Sequence, residues 1–248
     1  MSLTYLLVDL GVISIPFIAS FDKRIRFNKS WDSFLKAFLI TATFFIVWDI
    51  WFTESGVWGF NAAYLAGFQP LSLPIEEWLF FLAVPYACTF TWFVFRKYLK
   101  LDFLAPLVKP IWYLLIVLCL YLIFSQYGRN YTFYTALFTL FFLVIIAWRK
   151  KWNEIRWFLF TYLIIIIPFT LSNGVLTGLE FWQYPVLHNN PEQIVDQIVW
   201  YNNDHNLGWR FFSIPIDDFL YSFLLQGMSI TLFNYFEGKK PNSASTAR

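Results

Sequence analysis

Seven apolar stretches of about 20 residues most strongly constrain what this chain can fold into, because a transmembrane helix needs a run of about that length. The predicted spans are approximately residues 3–21, 34–52, 77–95, 110–126, 131–148, 157–176 and 217–236. With 58% hydrophobic and only 14% charged residues among 248, the composition excludes an ordinary water-soluble domain. The sequence therefore predicts an all-α integral membrane protein with about seven transmembrane helices.

The basic residues predict how these spans are oriented, because short loops rich in lysine and arginine stay on the cytoplasmic side. Basic clusters follow spans one, three and five and close the chain, whereas the opposite loops hold only Arg129 and Arg210. This alternation requires an odd number of spans. We therefore expect a multi-pass protein of the cell (inner) membrane, with its N-terminus outside and its C-terminus in the cytoplasm. The net charge of +2 gives no indication of nucleic acid binding.

Two stretches of the chain are copies of one another, and each has a proline followed by two acids. Pro-Ile-Glu-Glu at 74–77 and Pro-Ile-Asp-Asp at 215–218 are 141 residues apart, and the same offset carries Asn61 onto Asn202. Both copies precede a span in the same direction, which predicts a parallel 3+1+3 internal repeat. The predicted units are a first three-helix repeat, a connecting helix, a second three-helix repeat and a disordered cytoplasmic tail, at residues 1–105, 106–130, 131–236 and 237–248.

The repeated acids Glu76, Glu77, Asp217 and Asp218 are the strongest candidates for chemistry. Each charge placed centrally in a membrane costs roughly 2.5 to 3.5 kcal/mol, so acids kept in both copies indicate one shared cavity with a pair on each wall. In a first helical turn the free amides favour the ionised carboxylate, whereas burial favours the protonated acid. The alternative is that they are ordinary helix-start residues. Neighbours on a helix point about 100° apart, so only one acid of each pair needs to face the cavity.

Several other polar residues are supporting candidates. Asn61 and Asn202 either hydrogen-bond the acids or cap local turns. Asn173 and Arg210 stand near the same face, and Arg210 either pairs with an acid or anchors the chain at the membrane interface. Adjacent acids alone are a poor template for a metal, and no zinc-ligand spacing occurs, so no metal site is predicted.

Two further groups of polar residues have competing interpretations. Asp9 and Asp49 lie inside spans, where acids are functional candidates by default or else satisfy neighbouring helices. His188 and His205 lie in a polar loop and are expected to brace it. In the same loop, residues 191–200 have apolar side chains at helical spacing, which predicts a short amphipathic helix on the membrane surface.

The two repeated motifs resemble those of the cofactor-independent carotenoid (lycopene) cyclases, small membrane proteins that occur as two three-span subunits or as one fused chain. Segments 21–24, 173–178 and 207–210 extend the resemblance over almost the whole length. It implies the fused, two-subunit type. It also implies an isomerase or intramolecular lyase that converts the open end group of lycopene into a β-ionone ring, without a redox change and without a cofactor.

The chemistry that this resemblance implies has three steps. An acid protonates C2 of the end group, the C5,C6 double bond attacks the cation at C1, and C6 loses a proton. This needs one acid, one base and a dry cavity, and the aromatic residues, 23% of the chain, have faces that stabilise cations. The resemblance marks the four repeated acids as catalytic, with Glu76 and Asp217 slightly favoured as the pair that reaches the substrate. Which acid donates the proton is left open.

Two other functions remain open from the residues themselves. A small transporter can also have a 3+1+3 repeat, with its site at the membrane midplane, although the repeated acids lie at helix mouths. A membrane prenyltransferase would need diphosphate and magnesium, and the chain has no spaced Asp-rich repeats. The expected partners are a lipophilic carotenoid, membrane lipid and other enzymes of the carotenoid pathway. Ring type stays open between β, ε and γ.

Overall fold

Seven α-helices make up most of the computed structural model, which describes residues 3–99 and 104–239. They are α1 (Thr4–Ala19), α2 (Trp31–Glu54), α3 (Ile75–Tyr98), α4 (Val108–Ser125), α5 (Asn130–Arg149), α6 (Trp152–Thr177) and α7 (Ile216–Gly238). Each helix overlaps one of the seven predicted spans, so the predicted all-α membrane fold is confirmed. The tail predicted from residue 237 belongs to α7 as far as Gly238, and its remainder from residue 240 lies outside the described residues.

Five of the described helices, α2 to α6, are long and apolar enough to cross a membrane. Helix α1 is apolar but has 16 residues, and α7 carries Asp217, Asp218 and Gln226. Exposed apolar side chains such as Ile15 and Trp148 cover the outside of the bundle, as contact with lipid requires. Since the acids and Gln226 of α7 are buried, they face protein rather than lipid, which is how polar residues are tolerated in membrane helices.

Helices α3 and α7 pack against each other in the middle of the bundle. Helix α1 packs on α3, whereas α2 and α5 pack on α7. Helix α4 lies outside α5, where the Trp112 indole donates to the Leu143 carbonyl at 2.9 Å. Pro74 and Pro215 immediately precede α3 and α7, as predicted for residues that pre-set a first turn. The repeated acids therefore begin the two central helices.

The loops that precede α3 and α7 meet through two short strands, β1 (Trp58–Phe60) and β2 (Val199–Tyr201). The strands pair antiparallel, with Gly59 opposite Trp200. These two residues are 141 positions apart, so each strand pairs with its own copy in the repeat. The flanking bonds follow the same rule, because Asn61 N donates to the carbonyl of residue 198 at 2.8 Å and Asn202 N to that of residue 57 at 2.9 Å. The repeat loops are thus related by an approximate twofold axis.

The prediction of an amphipathic helix over residues 191–200 is wrong. Only one 3₁₀ turn forms, at Pro191–Gln193. Residues 194–198 then lead to β2 without helical structure, and Asp196 has a left-handed backbone with φ 54°. Ile194 and Ile198 point into the protein, and Ile198 N donates to the Leu176 carbonyl at 2.9 Å. In a helix the backbone N–H and carbonyl of Ile198 would bond within the helix. Here they bond instead to Leu176 of α6 and to Asn61, the residue that follows β1. A short hairpin of β3 (Arg210–Phe211) and β4 (Ile214–Pro215) leads into α7.

Candidate functional site

A buried pocket of about 60 Å³ lies between the first turns of α3 and α7, next to the β1–β2 pair. We call it the acid pocket. Glu77 and Asp218, the second acid of each motif, line it together. Phe80 and Tyr221, one turn further along the two helices, are also related by the 141-residue offset and also line it. The pocket therefore lies on the approximate twofold axis, with one of the repeated acids from each half.

Glu77 is surrounded by protonated groups and another acid rather than by cations. The Tyr5 hydroxyl on α1 donates a hydrogen bond to Glu77 Oε2, and the Asp49 carboxyl on α2 lines the acid pocket together with Glu77. The Trp58 indole of β1 donates to Asp49 Oδ1 at 2.5 Å. Two carboxyl groups in one buried pocket repel each other when both are ionised. Among the described residues, no lysine or arginine forms an ion pair with Glu77.

Asp218 accepts hydrogen bonds from three neutral donors. The Tyr131 hydroxyl on α5 lies 2.5 Å from Oδ1, and Oδ2 accepts from the Asn173 amide at 2.7 Å and from the Tyr201 hydroxyl at 3.0 Å. Burial, and then the charge of Asp218, raise the pKa of Tyr201 well above its usual value, so this phenol remains a donor. Hydrogen bonds of this kind stabilise an ionised carboxylate, and Asp218 is the better satisfied acid of the two.

Glu76 and Asp217 turn away from the acid pocket and hold the loops that precede their helices. Glu76 Oε1 accepts from the backbone N–H of Ala66 at 2.6 Å, and Asp217 Oδ2 accepts from that of Leu207 at 3.1 Å. The Thr132 hydroxyl adds a 2.5 Å bond to Asp217. The two acids cap equivalent loops, so the geometry does not support the preference for Glu76 and Asp217 as the acids that reach the substrate.

An apolar groove of about 490 Å³ runs from the acid pocket along the bundle between α1, α3, α6 and α7. We call it the lipid groove. It shares six lining residues with the acid pocket, namely Phe80, Val84, Phe169, Asn173, Ser222 and Gln226. Ile15 and Leu171 at its rim are 75% and 58% exposed, so the groove opens sideways on the lipid-facing surface. It joins the acids to the membrane interior.

Gln226 is a polar residue of this groove that the sequence interpretation missed. Its side chain is fully buried, and neither the amide oxygen nor the amide nitrogen has a hydrogen-bond partner. It lies two turns below Asp218, with Ser222 between them at i+4, so the three side chains form one polar stripe. An amide in the middle of a predicted span is the signal that could have identified it.

The remaining predicted site residues support the loops. Asn61 and Asn202 cap 3₁₀ turns, each accepting from a backbone N–H at 3.1 Å, and no hydrogen bond joins either side chain to one of the four repeated acids. Arg210 is buried and forms no ion pair with a described acid. Its guanidinium donates to the side-chain oxygens of Asn203 and Asn206 and lies 5.9 Å from the ring centre of Tyr201. It therefore holds the loop, and it acts on Asp218 through its charge without touching it. His188 braces the loop through a 2.6 Å contact with the Phe212 carbonyl.

The tyrosines that contact the acids were also missed. Tyr5 and Tyr131 are each the second residue of their helix and serve equivalent acids, but they are 126 positions apart rather than 141. A difference of 15 residues in the intervening loops hides this pair from a search at constant offset. In the described part of the chain, no three His, Cys, Asp or Glu side chains are placed to hold a metal ion.

Comparison with known proteins gives one family. The sequence model described as Lycopene cyclase matches residues 2–95 and 128–236. The first segment covers α1, α2 and most of α3, the second covers α5, α6 and most of α7, and α4 lies in the unmatched stretch between them. No curated protein and no solved structure matches the chain.

Proposed function

The chain belongs to the lycopene cyclase family, and we propose that it closes a β-ionone ring at the end of a linear carotenoid such as lycopene. The reaction is a non-redox isomerisation of the intramolecular lyase type and uses no cofactor. The observation that carries this proposal is that Glu77 and Asp218 line one buried pocket, which continues into an apolar groove. An acid and a base on either side of one end group supply the proton transfers that ring closure needs.

The lipid groove is the route for the substrate. A carotenoid is dissolved in the bilayer, and the groove opens to that bilayer between α1 and α6, with Ile15 and Leu171 at its rim. The end group enters first and comes to rest between Phe80 and Tyr221, where the groove meets the acid pocket. Entry from the side avoids passage through water. It also keeps water from a carbocation that water would trap.

Glu77 is proposed as the proton donor. Glu77 shares the acid pocket with Asp49, and two buried carboxyl groups side by side resist ionising together, because their negative charges repel. No ion pair to a described cation offsets that repulsion. The Glu77–Asp49 pair therefore carries a proton at neutral pH and can transfer it to C2 of the end group.

Asp218 is proposed as the proton acceptor. Its hydrogen bonds from Tyr131, Asn173 and Tyr201 stabilise the ionised form that a base requires. Glu77 and Asp218 thus take different roles because their neighbours differ, and not because of the carboxyl groups themselves. After each closure, a proton returns from Asp218 to Glu77 within the pocket that both acids line.

The bonds balance without an external reagent. Glu77 protonates C2, which leaves a cation at C1. The C5,C6 double bond attacks C1, so the C1–C6 bond forms and the cation moves to C5. Asp218 then removes the proton from C6, and a new C5,C6 double bond completes the β ring. The aromatic faces of Trp58, Tyr201 and Tyr221 line the pocket and stabilise the cation by about 2 kcal/mol or more each when desolvated.

We also propose that the chain is the fused form of a two-subunit enzyme. The family match falls in two segments of three helices each, with α4 as the connecting helix. Two three-helix repeats joined directly, six spans in all, would have opposite orientations in the membrane. The connecting helix α4 makes seven spans and keeps the two repeats parallel. The acids then lie at the outer face of the cell membrane, with the C-terminus in the cytoplasm. Transport and prenyl transfer are less well supported, since the groove ends at the acid pocket.

The proposal is tested by pigment analysis of lycopene-accumulating bacterial cells that express the wild type, Glu77→Gln or Asp218→Asn. The wild type should form cyclic carotenoid, and each isosteric change should lower turnover roughly 10²-fold or more. The neighbouring acids provide matched controls, because Glu76→Gln and Asp217→Asn change the same chemical groups one residue away and outside the acid pocket. Lycopene left untouched by well-inserted wild type would contradict cyclisation. Equal losses in all four variants would contradict the assignment of Glu77 and Asp218.

A further inference from the structure

We infer that the chain has a second binding site, separate from the proposed active site, for a neutral lipid alcohol with a single hydrocarbon chain. The site is an apolar groove of about 300 Å³ between α4, α5 and α7, with Asp217 in its wall. We call it the α4 groove. Among the described residues, none that lines it also lines the acid pocket or the lipid groove. Its occupant therefore binds without displacing the carotenoid.

The first feature that leads to this inference is an unpaired hydroxyl inside the groove. Thr135 on α5 lines the groove and is 1% exposed, and its hydroxyl has no hydrogen-bond partner. A threonine in a helix often bonds to the carbonyl four residues earlier, as Thr161 does with the carbonyl of Trp157 at 2.7 Å. A buried hydroxyl without a partner costs free energy. We therefore expect a ligand to supply the partner that the chain does not.

The second feature is that Asp217 can accept a further hydrogen bond. Its Oδ1 accepts from the Thr132 hydroxyl at 2.5 Å and its Oδ2 from the backbone N–H of Leu207 at 3.1 Å, but an ionised carboxylate has about four acceptor sites. Thr132 and Thr135 are three residues apart on α5, so they lie on one face with their Cβ atoms about 5 to 6 Å apart. One hydroxyl oxygen between Asp217 and Thr135 can donate to the first and accept from the second, since two bonds of about 2.7 to 2.8 Å span that distance.

The third feature is the charge around these groups, which favours a neutral ligand. None of the described residues that line the groove is a lysine or an arginine, so Asp217 repels a fatty acid or a phosphate. Asp217 already interacts with the charge of Arg210, and an ammonium group is not needed to balance it. The Tyr162 hydroxyl, which also lies in the groove, donates to the Phe219 carbonyl at 2.5 Å. The polar groups left for a ligand thus match one alcohol.

The fourth feature is the shape of the groove. It runs from Asp217 in the first turn of α7 to Phe223, six residues and so about 9 Å along the helix axis. At about 30 Å³ for each water-sized group, it holds roughly ten non-hydrogen atoms, which is one chain and not a whole two-chain lipid. Leu118 at its rim is 42% exposed, so the groove opens on the lipid-facing surface. A lipid alcohol places its hydroxyl near the mouth of α7 and its chain along α4.

The outer wall of the groove is the connecting helix α4, which supplies three of its leucines. This helix lies outside the two segments that the family model matches. In the first half of the chain, Asp9 stands where Thr135 does, since each follows by four residues the tyrosine that donates to a pocket acid. A carboxyl thus takes the place of the groove hydroxyl. The site therefore belongs to α4 and its neighbours and not to the duplicated acid site, and a bound alcohol ties α4 to α5 and α7.

Photolabelling of the full chain in phospholipid vesicles tests this inference. The probe is 1-decanol with a diazirine on its chain, and decane with the same diazirine is the hydrocarbon control. We expect the alcohol to label residues 115–122 several times more strongly than the hydrocarbon, and a tenfold excess of plain 1-decanol to lower the labelling about tenfold by mass action. Equal labelling by alcohol and hydrocarbon would overturn the inference. Decylamine or decanoate displacing the probe better than 1-decanol would also overturn it, since the ligand would then be charged.

Two threonines on α5 provide a matched pair of variants. Thr135→Val keeps the shape of the side chain and removes its hydroxyl, so labelling at low probe concentration should fall roughly 2- to 10-fold, the effect of one neutral hydrogen bond. Thr139 has an equally buried and unpaired hydroxyl one turn further along and is not among the residues that line the groove. Thr139→Val should therefore leave labelling unchanged. Equal losses in the two variants would contradict the assignment of Thr135 to the site.

The same readout separates this site from the proposed active site. A tenfold excess of lycopene should leave the labelling of α4 unchanged, because the α4 groove and the lipid groove have different linings. Displacement of the probe by lycopene would assign the groove to the carotenoid and overturn the inference. Labelling is measured without ring formation, so these outcomes leave the proposed function standing.

Discussion

The two halves of the molecule place equivalent acids in different surroundings. In the first half, Glu77 contacts a second carboxyl, Asp49; in the second half, Asp218 contacts an amide, Asn173, at the equivalent position. The packing on the two sides of the bundle also differs, since Val12 and Ser172 line the lipid groove, whereas the large rings of Trp48 and Phe138 pack 4.8 Å apart. A duplicated fold thus supplies two copies of an acid site, and a few substitutions make one copy a donor and the other an acceptor.

The largest effect is expected from making the open side resemble the closed one. Val12→Phe with Ser172→Trp places two large aromatic side chains in the lipid groove. We expect ring formation to fall by roughly 10²-fold or more, because even a small misplacement of a substrate costs about that much. Product formed per amount of inserted protein measures this. Unchanged conversion in a well-expressed variant would show that the substrate does not use the groove. Trp48→Phe keeps an aromatic side chain against Phe138 and outside the lipid groove, so it is the matched control and should leave conversion unchanged.

Exchanging Asp49 and Asn173, the groups beside Glu77 and Asp218, tests why one acid is the proton donor and the other the acceptor. Asp49→Asn removes the carboxyl that shares a proton with Glu77, and Asn173→Asp places a second carboxyl beside Asp218. Each single change should lower turnover roughly 10²-fold, the lower end of what general acid or base catalysis contributes. The double variant restores one acid pair and one amide on opposite sides. Recovery of activity above both single variants is therefore expected, and a simple product of the two losses would argue against the assignment.

The tyrosine donors are expected to have unequal effects. Tyr131→Phe removes a donor from an ionised carboxylate, where a hydrogen bond contributes about 1.5 to 3 kcal/mol, so turnover should fall at least about tenfold. Tyr5→Phe removes a donor from a carboxyl that already shares a proton, and a neutral hydrogen bond is worth only about 0.5 to 1.5 kcal/mol. Kinetics of the two variants under matched expression measure the difference. A larger loss for Tyr5→Phe would reverse the proposed roles of the two halves.

Much of this arrangement could be predicted from the sequence, and the limits follow from where the repeat keeps its register. The offset of 141 holds from β1 into the start of α3, which located the acids, the loop asparagines and the axis. It fails for the first two helices of each half, since Tyr5 and Tyr131 are 126 residues apart and Asp49 and Asn173 are 124 apart. Sequence spacing also does not show which acid of each pair faces the pocket. In the structure the first acid of each pair accepts from a backbone N–H of the preceding loop, which leaves the second acid in the pocket.

The smallest effect on activity is expected at Thr132, the neighbour of Tyr131 on α5. Its hydroxyl donates to Asp217 rather than to Asp218, so Thr132→Val removes one hydrogen bond from a loop-capping acid and none from the acid pocket. We expect stability to fall by about 0.5 to 1.5 kcal/mol, measured as a lower unfolding midpoint in detergent, and turnover of the folded protein to stay unchanged. The two variants would then separate the roles of the paired acids. Tyr131 acts on catalysis through Asp218, and Thr132 acts on loop stability through Asp217. A loss of turnover in Thr132→Val comparable with that in Tyr131→Phe would show that Asp217 takes part in the chemistry.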